Sequence, residues 1–88
     1  MAQLGADVDQ LDDMSNKFRN AGEQLQSLIN QLGGTVNSAW WQGTDADNFR
    51  GQWEGEFKGQ LNNVCTALFQ TGDHVKQQAD QQRQTSGA

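Results

Sequence analysis

A thiol, an imidazole and a group of carboxylates are the side chains in this 88-residue sequence that could do chemistry. They are Cys65, His74, and Asp7, Asp9, Asp12 and Asp13. Nucleophilic or acid–base catalysis would need such groups to converge on one concave site, with a base beside the nucleophile and a third group to orient it. With one Cys, one His, no Tyr and no paired acid with an evident partner, the inventory is too poor for an enzyme. No catalytic residue, cofactor or small-molecule substrate is expected. The aspartates lack the alternating ligands and closing Glu of a calcium loop, and on a helix they spread over several faces. They read as a solvated helix start, and no metal site is expected. His74, next to Asp73 on a polar stretch, reads as a surface residue. Cys65, beside Val64 at the edge of an apolar stripe, reads as a partly buried structural thiol.

Binding chemistry is better represented. Trp40, Trp41 and Trp53 concentrate the largest apolar areas of the chain in a short span, where they either cap a core or leave one indole to line a recognition site. Gly51, Gly55 and Gly59 recur every four residues, about 200° around a helix from Phe49, Trp53 and Phe57. That strip is either a groove for close approach by another helix or an exposed, flexible surface.

The elements that carry these residues are helical. Leu4, Leu11, Phe18, Leu25, Leu32 and Ala39 form one seven-residue row, and Val8, Ser15, Gly22, Ile29 and Val36 form a second row four residues on. This heptad pattern predicts a long amphipathic helix, which Met14, Ala21 and Leu28 widen to the stripe of a bundle helix. Gly33 and Gly34 each disfavour helix by about 1 kcal/mol relative to Ala, but the pattern continues through them in phase. One helix over about 5–40, bent at the glycines, is therefore expected, with a helix that ends near Leu32 as the alternative. The pattern stops at Trp41-Gln42-Gly43 and resumes after Thr44, with Asp47 placed as in a capping box. A turn over 41–44 follows, where Gly43 permits positive φ.

A second helix over about 45–80 carries Phe49, Trp53, Phe57, Leu61, Val64, Leu68 and Val75 at spacings of three and four, with one gap of seven. The predicted packing core is Leu11, Phe18, Leu25, Ile29 and Leu32 from the first helix, against Phe49, Trp53, Phe57, Leu61, Val64 and Leu68 from the second. Beyond Val75 the sequence turns to Gln and Asp, so fraying is expected there, with a disordered tail at 85–88. The fold class is all-α: a single-domain helical hairpin, residues 1–88, with two long antiparallel helices.

Composition narrows the partners. Ordering each residue opposes folding by about 1.5 kcal/mol, which one seam between two helices barely offsets, so dimerisation is expected. Six basic against eleven acidic residues give a net charge of −5, which repels nucleic acid and anionic lipid. Met1 to Asp13 has no basic region followed by an apolar core, and no apolar run approaches the roughly 20 residues of a membrane span. The chain is expected to be soluble, either kept in the cytoplasm as a structural or adaptor hairpin or exported without a cleaved signal peptide.

Trp41-Gln42-Gly43 in the turn of a hairpin this long, followed by Thr44-Asp45-Ala46-Asp47-Asn48-Phe49-Arg50 and then Trp53, resembles the WXG family. These are the ESAT-six-like small proteins of type VII secretion systems, and the D-A-D-x-F-R-x-x-W run looks like actinobacterial members. The resemblance covers almost the whole chain. It implies a helix-turn-helix protomer that pairs with itself as a homodimer, or with a paralogous hairpin as a heterodimer, into a four-helix bundle exported folded. It further implies that Trp41 and Gly43 shape the turn and, with a partner's C-terminal helix, meet the secretion ATPase. The family's export signal, Y-x-x-x-D or Y-x-x-x-E near the end of the second helix, has no counterpart in a chain without Tyr. Phe69-x-x-x-Asp73 keeps an aromatic and an acid one turn apart, while Lys76-x-x-x-Asp80 has the position and lacks the aromatic. Either the signal is degenerate, involving Phe69, Asp73 or Asp80, or a heterodimer partner supplies it.

Overall fold

Asp7 starts the first helix through its own carboxylate, which accepts a hydrogen bond from the backbone N–H of Gln10 at 3.1 Å. This N-cap satisfies one of the donors that a helix start leaves free. Asp9 follows in the first turn, at the positive end of the helix dipole. The structure, a computed structural model, describes residues 5–86. Leu4 of the first heptad row and residues 87–88 of the expected tail lie outside them.

Helix α1 runs Val8–Ser38, passing through Gly33 and Gly34 as the unbroken heptad phase requires. It ends two residues before the expected limit because Ala39 turns to extended backbone, φ −62° and ψ 136°. Helix α2 (Thr44–Gln52), a π-helical turn (Trp53–Phe57) and helix α3 (Lys58–Ser86) then follow without interruption as the second arm of the hairpin. The box expected between Thr44 and Asp47 does not form. Gly43 is the N-cap residue, so Thr44 already lies inside the helix, and no side chain caps it. The Asp47 N–H donates instead to the Gly43 carbonyl at 3.0 Å.

The arms pack antiparallel, with mostly small residues at the seam around Ile29 and Trp53. Ser15, Gly22 and Ile29 of α1 are buried, as are Ala46, Trp53, Cys65, Gly72 and Ala79 of the second arm. The Ser15 hydroxyl donates to the Gly72 carbonyl at 2.7 Å, and the Cys65 thiol lies 3.6 Å from the Gly22 carbonyl. Cys65 is thus fully inside the seam, not at its edge. A methyl group on Gly72 would come within 2.8 Å of Arg19 Cγ and 3.0 Å of the Ser15 carbonyl, and one on Gly22 within 3.0 Å of the Phe69 ring. Leu25, Val36, Phe57 and Leu61 pack around a centre of Ile29, Trp53 and Cys65. The indole N–H of Trp53 is buried there without a hydrogen-bond partner among the described residues.

The predicted core is corrected accordingly. Ile29 and Trp53 are buried, and Leu11, Phe18, Leu25, Phe57, Leu61 and Leu68 are half-buried along the flanks. Leu32, Phe49 and Val64 are exposed on the single hairpin. The backbones approach closely only along the Ser15–Gly22–Ile29 row, and that axis points the larger row beside it partly outward.

The π-helical turn explains how one face of the second arm stays on the seam. Ala46 and Trp53 are seven residues apart, as are Cys65, Gly72 and Ala79. Seven residues before Cys65 is Lys58, five after Trp53, a step that an α-helical turn of 3.6 residues does not close. The Lys58 N–H bonds to the Trp53 carbonyl, the i→i+5 spacing of a π turn, which brings both heptad runs onto the same face.

The far end of α3 departs from expectation. The helix continues to Ser86, past the expected limit of 80, so Thr85 and Ser86 are helical. Ala79 is completely buried, and Arg83 pairs with Asp12 of α1 while Lys76 Nζ lies 3.6 Å from the same carboxylate. An apolar count along α3 misses both contacts. The resulting hairpin measures 66 × 17 × 17 Å, two helices thick.

Candidate docking surface at the hairpin turn

The turn of residues 39–43 has to reverse the chain in five residues, and Gly43 makes this feasible with φ +116°, a conformation that side-chain-bearing residues rarely adopt. No other described residue has positive φ. Trp41 leans on Phe49, ring centroids 5.7 Å apart and tilted by 45°, and Phe49 continues to Phe57 at 6.3 Å. This aromatic ladder ties the turn to the second arm and leaves Trp41 43% exposed. Trp40 is 88% exposed and stands in solvent. A shallow hollow between them is lined by Asn37, Ser38, Ala39, Gln42 and Arg50.

Arg50 holds the turn from inside. Its Nε donates to the Val36 carbonyl at 2.9 Å, Nη1 to the Trp41 carbonyl at 2.8 Å and Nη2 to the Ala39 carbonyl at 2.9 Å. Helix α1 has no basic residue in its own last turn, and its final carbonyls need donors. Sequence reasoning quoted Arg50 only as part of a run. No sequence signal marks it as a clamp, since all three of its acceptors are backbone carbonyls.

A second surface runs along the hairpin. Met14, Leu28 and Leu32 on α1 and Phe49 and Val64 on the second arm are exposed apolar side chains. An open groove between α1 and α3 is lined by Met14, Phe18, Ala21 and Leu68, with Gln10, Asp13 and Lys17 at its rim. Gly51, Gly55 and Gly59 are also exposed, with nothing within 4 Å of an added methyl group.

The remaining sequence candidates are scattered. Phe69 is half-buried, its ring against Gly22. Asp73 pairs with Arg19 at 2.8 Å, and Asp80 pairs with Lys76 at 3.1 Å and Arg83 at 3.6 Å. Phe69 and Asp73 thus reach across to α1, while the Asp80 contacts stay within α3. The N-terminal aspartates divide among a cap at Asp7, an ion pair from Asp13 to Lys17, and contacts of Asp9 and Asp12 with Arg83. The Arg83 hydrogen bonds hold the Asp12 carboxyl below its ordinary value, and Asp12 in turn raises Arg83. Among the described residues no group of His, Cys, Asp or Glu is placed to hold a metal ion, and no helix is long and apolar enough to cross a membrane.

The family model for WXG100, proteins of 100 residues with WXG, matches residues 3–86. No curated protein and no solved structure matches the chain. A match over nearly the whole sequence, on a helical hairpin whose turn carries Trp41-Gln42-Gly43, establishes that the chain belongs to the WXG100 family of small helical proteins of type VII secretion systems.

Proposed function

We propose that this chain is a substrate of a type VII secretion system and acts as one half of a dimeric four-helix bundle, leaving the cell folded and without a cleaved signal peptide. The observation that carries the reading is the apolar stripe left uncovered on a hairpin two helices thick: Leu28 is 51% and Val64 50% exposed. Side chains of this kind in rows along both arms favour a second hairpin that removes them from water, at about 25 cal/mol per Å² of apolar surface buried. WXG100 proteins typically dimerise and are handled by type VII machinery, which agrees with the physical argument from size and exposure.

In this reading Trp41 and Gly43 form the surface that the secretion ATPase meets, together with the C-terminal helix of the partner hairpin. Phe69, Asp73 and Asp80 are engaged within their own chain, which favours a signal contributed by the partner over a degenerate one on this chain. The ATPase, the partner hairpin and export are tested together by secretion from cells that carry the system. Wild-type protein is expected in the medium without lysis markers, and Trp41→Ala is expected to reduce its amount while leaving helicity unchanged. Protein retained in the cytoplasm would favour a structural or adaptor hairpin instead. Equal loss of export and folding on Trp41→Ala would make Trp41 a packing residue only.

A further inference from the structure

Arg50 belongs to the second arm, yet all three of its hydrogen bonds go to the end of the first arm and to the turn. We propose that Arg50 is a positioning residue that fixes how Trp41 is presented for docking, by holding the carbonyls of Val36, Ala39 and Trp41 in one guanidinium fork. This rests on the reading of the turn as a docking surface given above.

The geometry uses what distinguishes Arg from Lys. Three different N–H groups of one planar cation reach three carbonyls at 2.8–2.9 Å, whereas a lysine ammonium is a single point at the end of a flexible stem. Two of the acceptors, Ala39 and Trp41, lie in the irregular turn, where the only described backbone hydrogen bonds are Ala39 N–H to the Thr35 carbonyl and Asp47 N–H to the Gly43 carbonyl. Trp41 is gripped at two points from neighbouring residues: its carbonyl by Arg50 and its ring by Phe49. Trp40, one residue earlier, has an exposed side chain. Removing the fork frees the turn main chain while the seam, centred on Ile29, Trp53 and Cys65, keeps its contacts.

Charged-group hydrogen bonds lost together lower the fraction of molecules with a competent turn, and apparent affinity falls with that fraction. The test compares Arg50→Met, which keeps the stem and removes the fork, with Arg50→Lys. Both are assayed by circular dichroism, by the backbone and indole N–H resonances of Trp41 and Trp53 in the folded protein, and by export. Arg50→Met is expected to preserve helicity and the Trp53 resonances, to shift those of Trp41, and to lower export by about tenfold or more. Arg50→Lys should recover only part of both. Unmoved Trp41 resonances in Arg50→Met would overturn the proposal. So would normal export of Arg50→Met alongside impaired export of Trp41→Ala. If Trp41→Ala itself exports normally, the docking reading fails, and the Trp41 resonances alone decide whether Arg50 positions the turn. If Arg50→Met loses helicity, Arg50→Lys decides: wild-type resonances and export there would also overturn the proposal.

Discussion

Gly72 and Gly34 lie within helices of the same hairpin and meet opposite surroundings. An added methyl group on Gly72 runs into the Ser15 carbonyl and Arg19, while one on Gly34 meets nothing within 4 Å. Alanine in an open helical position gains about 1 kcal/mol over glycine, and forcing extra volume into a packed seam opposes folding by about 1 to 3 kcal/mol. Urea denaturation should therefore show Gly34→Ala more stable than wild type by up to about 1 kcal/mol, with Gly72→Ala below it by roughly 1 to 3 kcal/mol. Equal gains in both would contradict the close approach at Ser15. Ile29 and Trp53, which sequence spacing assigns to the core as large apolar residues on a heptad, are buried. The same spacing leaves a gap at Thr71 or Gly72 and reads Cys65 as an edge, since a small residue at a seam carries no hydrophobic signal of its own. Arg50 was illegible as a turn clamp for a related reason: its partners are backbone carbonyls, which every sequence has.

The helices follow from local patterns, while their ends and phase depend on the other arm. The unbroken heptad through Gly33 and Gly34 identified α1, and Gly43 marked the turn. The π-helical turn at Trp53–Phe57 could not be read, because it answers a mismatch between two heptad runs that only the facing helix makes visible. The far end of α3 illustrates the same dependence, since its contacts reach across to Asp12. Asp12 titrates below its ordinary value of 3.8 through its Arg83 hydrogen bonds, so this contribution is fully present above that pH. It is lost as pH falls through the lowered value, when the carboxyl takes up a proton. Amide protection around Ala79 and Gln82, taken relative to the intrinsic exchange rate at each pH, should therefore fall in acid before the centre of the seam at Ile29 and Cys65 opens. Simultaneous opening of both regions would contradict an electrostatic hold on that end.

As a whole, the molecule is a 66 Å rod only 17 Å across, and its size decides its behaviour more than any single side chain does. A hairpin of this thickness cannot enclose all of its apolar residues, and Met14, Leu28, Leu32, Phe49 and Val64 remain exposed as a consequence. Membership of the WXG100 family places that surface among proteins that typically pair. Length and heptads alone led to the expectation of a partner, but the exposed stripe was not legible as distinct from the seam, because the predicted core merged the seam within the hairpin with the surface beyond it. We expect this hairpin to reach a stable fold only when its outer stripe is covered by a second one. Sedimentation equilibrium over a concentration series, with circular dichroism on the same samples, measures this dependence. The expected result is a helical dimer of two 9.7 kDa chains whose helicity falls as it dissociates, or a poorly helical chain that gains structure only with a paralogous hairpin. A fully helical monomer, stable at every concentration, would contradict it.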